Sequence, residues 1–132
     1  MDRKPTIPLY VGLFALAYIL LAILIGYVIT WFRAESSPRV NEFVIAVAAC
    51  ITTYWFTRCE NRHFTKQERF EIIFGSIAAD ITIQVSTALL ITSNLDLSNK
   101  WVLFLLILAS HAMLIVLSYS LLKKMPLPNK AA

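Results

Sequence analysis

PLYVGLFALAYILLAILIGYVITWF, Pro8 to Phe32, carries no charged side chain in 25 consecutive residues. A helix rises 1.5 Å per residue, so roughly 20 apolar residues cross the hydrocarbon core of a bilayer. Its length and unbroken apolar character mark this stretch as a transmembrane helix. Three more stretches read the same way. VNEFVIAVAACITTYWFT (Val40–Thr57) is shorter, with Glu42 near its start. FEIIFGSIAADITIQVSTALLITS (Phe70–Ser93) and WVLFLLILASHAMLIVLSYSLL (Trp101–Leu122) complete the set. The expected fold is therefore an all-α membrane protein, an antiparallel bundle of four transmembrane helices. Their approximate bounds are 8–32, 40–57, 66–93 and 101–123, within a single domain spanning 1–132.

Composition agrees. Of 132 residues, 58% are hydrophobic and 15% charged, against about 45–50% and 25% in soluble domains. Arg3 and Lys4 ahead of the first span could mimic a signal peptide. The apolar run exceeds an h-region of about 7–15 residues and no small-x-small site follows, so it reads as a retained helix.

The net charge of +4 would fit a nucleic-acid partner if the basic residues were clustered for one. They are distributed by topology instead. Arg3, Lys4, Arg58, Arg62, Lys66, Arg69, Lys123, Lys124 and Lys130 fall on one side; only Arg33, Arg39 and Lys100 fall on the other. Nine against three predicts that both termini are cytoplasmic, and a nucleic-acid role loses its support. Tyr10, Tyr54, Trp55 and Tyr119 at the inner face, with Trp31 and Trp101 at the outer, are placed as interfacial belts. RAESSPR and NLDLSNK are too short to hold extramembrane domains. The tail after Lys123 is expected to be flexible.

Polar detail concentrates in RCENRHFTKQERFE, Arg58 to Glu71. Thr65 and Glu68 have the spacing of a capping box, which starts the third helix near Lys66. Arg58, Arg62, Lys66 and Arg69 fall at near-helical spacing; they fit positive-inside topology, and an anionic headgroup site is the sharper alternative. Cys59 and His63 are too few for a zinc site, so no metal or other cofactor is expected. Cys50 and Cys59 lie at different depths and should not form a disulfide. Cys59, Glu60, His63 and Glu68 match no catalytic pattern, so no enzymatic activity is expected.

One carboxylate lies deep in a span. An ionised aspartate at the bilayer centre costs about 2.5–3.5 kcal/mol on insertion scales, so Asp80 should face the bundle. Ser76, Asp80, Gln84 and Thr87 form a polar stripe on one helical face, and Gly75 and Ala79 beside it permit close helix approach. Counting outward from the loop midpoint near Leu97 puts Asp80 and His111 within ~4–5 Å of one depth. The same count pairs Ser76 with Ser118 and Gln84 with Ser110. Asp80 and His111 can be two ions, or a neutral acid and a neutral imidazole. They serve either as a proton or cation relay or as interhelical glue, the latter worth about 0.6–2 kcal/mol per hydrogen bond.

The block Phe56–Asp80 resembles the central signature of an uncharacterised family of small four-helix bacterial inner-membrane proteins, through Phe56, Asn61, Arg62, Thr65, Glu68, Ser76 and Asp80. The resemblance implies location in the bacterial inner membrane and carries no activity. Size and helix count are also similar to those of immunity proteins, which block membrane-acting toxins. Small multidrug transporters share the helix count, but their essential glutamate lies in a first helix that here has no charge. Three functions follow as expectations: binding another membrane component such as a protein or toxin, transport through Asp80 and His111, and, last, catalysis. A small-residue face at Gly12, Ala15 and Ala22 could serve a homo-oligomer or packing within the chain.

Overall fold

The computed structural model describes residues 6–35, 37, 39–91 and 101–124. The connection after α3, the tail beyond Lys124 and the first five residues lie outside them, as do the expectations placed there. The described chain is four helices: α1 (Ile7–Phe32), α2 (Arg39–Glu60), α3 (Lys66–Ile91) and α4 (Trp101–Leu122). All four are long and apolar enough to cross a membrane.

Local chemistry sets the helix ends. Pro8 sits in the first turn of α1, where a missing N–H costs nothing. Arg33 closes α1 in the left-handed region at φ 50°, its N–H on the Ile29 and Thr30 carbonyls. Ala34 N–H also reaches the Ile29 carbonyl, at 3.0 Å, the six-to-one bond of a Schellman motif. α2 runs three residues past the expected Thr57 and stops at Glu60. The stop is Asn61 at φ 52°, a conformation asparagine tolerates better than most residues.

Contacts between helices fix their directions. Tyr10 Oη donates to Glu60 Oε1 at 3.3 Å, and Tyr18 Oη to Asn41 Oδ1 at 2.8 Å, so α1 and α2 are antiparallel. Ser76 meets Tyr119, and Asp80 meets His111, so α3 and α4 are antiparallel too. In section the bundle is a square: α1 touches α2 and α3, and α4 touches the same two.

The core fills only one half of that square. Near the end carrying the α2–α3 turn, the basic end, an aromatic cluster joins α1, α2, α4 and the turn itself. Phe56 stacks on Phe64 with ring centroids 3.8 Å apart, and Tyr10 meets Phe56 edge-on at 4.9 Å. Tyr119 packs between Phe14 and Phe64. Tyr10 and Tyr119 are thus core residues, not interfacial ones: at 5% and 2% exposure their rings bury against the aromatic cluster. Tyr54, Trp55, Trp31 and Trp101 stay exposed. α2 buries Val44, Ile45, Ala48, Ala49, Thr52, Thr53, Phe56 and Thr57 in adjacent pairs one turn apart, a stripe along its length. Toward the far end, by contrast, α1 beyond Leu21, α3 beyond Gln84 and α4 before Ser110 bury no side chain among the described residues.

α3 packs on α1 at Gly75, where an added Cβ would collide with Val11 Cγ2. Gly12, on the proposed small-residue face of α1, meets nothing within 4 Å. Gly75→Ala should therefore destabilise the bundle by about 1–3 kcal/mol through overpacking, and Val11→Ala in the same chain should recover most of it. Unfolding of the purified variants in mixed micelles checks this; an additive double variant would contradict it.

Candidate functional site

Midway along the bundle a buried polar layer joins the helices. Asp80 is 2% exposed and His111 3%. His111 Nδ1 lies 3.2 Å from Asp80 Oδ2. Gln84, one turn on from Asp80, donates from Nε2 to Asp80 Oδ1 at 3.3 Å and contacts His111 Nδ1 closely with the same amino group. From α1, the Tyr18 hydroxyl donates to Asn41 of α2, and both line one wall with Gln84. All four helices thus contribute a polar side chain to one level.

His111 Nδ1 carries either one lone pair or one N–H, so Asp80 Oδ2 and the Gln84 amide share a single position on the ring.

The rest of the expected cluster is only partly gathered. Ser76 is fully buried, but its partner is Tyr119 Oη at 3.2 Å, not Ser118. Ser118 is half-buried, one residue and 100° around the helix from Tyr119. Ser110 is exposed and bonds the Ile107 carbonyl of its own helix; Gln84 meets His111 instead. Matching depth does not match azimuth, which explains both shifts. Thr87 lies at the exposed end of the stripe, its hydroxyl on the Ile83 carbonyl. Tyr18, Asn41 and Tyr119 were not among the expected cluster. The signal for them was a hydroxyl or amide interrupting apolar helical sequence.

Beside this layer, toward the far end, lies a cavity of about 430 Å³. Tyr18, Ala22, Asn41, Gln84, Thr87 and Phe104 are in its wall, and no charged residue is among the described lining. Asp80 does not reach it.

At the basic end, Arg62 grips Glu68 through two bonds of 2.7 and 2.8 Å. The same carboxylate accepts from Thr65 N–H at 2.8 Å, and the Thr65 hydroxyl accepts from Glu68 N–H at 3.3 Å, a complete capping box. Arg62 also lies over the Phe56 ring, 5.3 Å from its centroid. Arg58 donates to Tyr54 Oη of its own helix. The four basic residues straddle the turn between α2 and α3, so their near-helical spacing does not make one helical face. The most specific of them, Arg62, is a structural brace. Cys50 and Cys59 are free thiols, and no three His, Cys, Asp or Glu among the described residues are grouped to hold a metal.

Comparison with family models, with curated proteins and with solved structures finds no match to this chain.

Glu68 lies in the polar first turn of α3, ahead of the apolar run that begins at Phe70. The Arg62 guanidinium, aided by the Thr65 N–H and hydroxyl against the opposing effect of burial, lowers its carboxyl to about 2 from an ordinary 4.5. A lowered folded-state value stabilises the fold above the unfolded value and loses that contribution as acid approaches the folded one. Melting temperature should therefore fall between pH 4.5 and 2, and Glu68→Gln should flatten that slope while lowering stability at pH 7. An unchanged slope in the variant would exclude this brace as its source.

Proposed function

We propose that the chain is a multi-pass protein of the bacterial inner membrane with both termini cytoplasmic, acting by binding another membrane component. The basic end then faces the cytoplasm, in keeping with the nine-to-three division of lysine and arginine. Its sharpest form is an immunity-type protein that neutralises a membrane-acting toxin. The observation carrying the binding role is the closure of Asp80. A carboxylate 2% exposed, held by His111 and Gln84 and outside the cavity wall, offers no wet path for ions. It holds helices together, leaving the lightly packed far half of the bundle as the surface that meets a partner.

A second reading has its own support: the cavity reaches Gln84, which bonds both Asp80 and His111. A small transporter or channel subunit would use that approach to wet the pair.

The test is purification from native membranes in mild detergent through a C-terminal tag. Recognition predicts a second polypeptide at fixed ratio. A lone monomer or symmetric homo-oligomer whose liposomes conduct protons, with conduction lost in Asp80→Asn, would replace it with transport.

A further inference from the structure

We propose that the cavity lined by α1, α3, α4 and Asn41 of α2 is a binding site for a small, neutral, lipid-soluble molecule with an amide-type head, one that both donates and accepts hydrogen bonds. Three features lead there. The volume, about 430 Å³, lies within the ~300–1,000 Å³ usual for small-ligand sites and is too small for a helix. The wall is mostly apolar, and Asn41 and Gln84 each bring an amide to it. Asn41 gives its Oδ1 to Tyr18, leaving its amino group unused. Gln84 commits its amino group to Asp80 and His111, leaving Oε1 unused. Neither atom is among the sealed, unpartnered polar atoms of the described residues, where only Thr53 Oγ1 appears. Both are therefore accessible, on residues that line the cavity. One offers N–H and the other a carbonyl oxygen, which a carboxamide complements with its own oxygen and N–H.

Charge argues for neutrality. No lysine, arginine or carboxylate is in the described lining, so an ion entering would be stripped of water without a counter-ion. Asp80, bonded to Gln84, is not in the described lining. The ligand's apolar body would lie along Ala22, Ile83 and the Phe104 ring. Ile19, 41% exposed, and exposed Thr87 form the rim, so entry is sideways from the bundle surface. The site rests on the bilayer placement proposed above but not on a protein partner.

The test uses the full chain alone, reconstituted in phosphatidylcholine vesicles, with a decanamide carrying a terminal diazirine as the probe. Photolysis should give adducts on α1 and α3 residues of the cavity. Excess unlabelled decanamide should suppress them about tenfold, and decyltrimethylammonium of equal chain length should not. Ala22→Trp, which fills the cavity from an exposed position, should cut labelling about tenfold, as should Asn41→Leu through loss of its donor. Leu16→Trp, elsewhere on the exposed surface of the same helix, should leave it unchanged. Equal competition by the ammonium compound, undiminished labelling in a folded Ala22→Trp chain, or adducts spread evenly over the exposed helix faces would each overturn the proposal. Carbonate washing separates the causes of failure. A chain stripped from the vesicles refutes the bilayer placement and the site with it, while one that stays but does not label refutes the site alone.

Discussion

Burying the Asp80 carboxyl group constrains the rest of the bundle. A carboxyl group amid apolar helices is tolerated only where its lone pairs and proton find partners. The partners here come from two directions: Gln84 one turn along α3 and His111 across on α4. Tyr18 of α1 and Asn41 of α2 add a second hydrogen bond beside it. Sliding α4 by one turn would displace His111 by about 5.4 Å and strand the acid. Apolar packing alone tolerates such slips more easily, because lipid and side chains are equally apolar. The polar layer therefore sets register, and the aromatic cluster beside it supplies close packing.

The asymmetry between the two ends follows. At the basic end the turn is short, capped by Thr65 and Glu68 and braced by Arg62, and Phe64 is drawn into the stack of Phe56, Tyr10 and Tyr119. Gly75 lets α1 and α3 touch at the same level. Beyond the polar layer no comparable anchor holds the helices together among the described residues, and the cavity opens there. A tight half bearing a loose half is the arrangement on which the proposed binding role rests: the packed end fixes the helices, and the open end leaves their lateral surface uncovered.

Much of this was legible in the sequence, for identifiable reasons. Long apolar runs gave the number of helices and most of their ends, because span length is a strong physical requirement. The spacing of Thr65 and Glu68 located the start of α3. Counting from the α3–α4 connection put Asp80 and His111 at similar depth. Azimuth was not legible. In a helix apolar on every side, no polar face declares which residues point inward, so Ser110 and Ser118 were grouped with a layer they do not join. Tyr10 and Tyr119 looked interfacial because tyrosine near a helix end usually is; burial among Phe14, Phe56 and Phe64 depends on tertiary contacts invisible in one span. The turn at Asn61 hid behind helix-forming neighbours, and so α2 proved longer than its apolar run.

The central claim is that Asp80 and His111 form a sealed cross-link between α3 and α4. A double-mutant cycle of Asp80→Asn and His111→Gln, measured by unfolding the purified chain in mixed micelles, tests it most directly. A coupling energy of about 1–2 kcal/mol is predicted, with each single variant folded but weakened. Additive variants, with coupling near zero, would mean that the two side chains do not depend on each other, and the account of the bundle's register would fail.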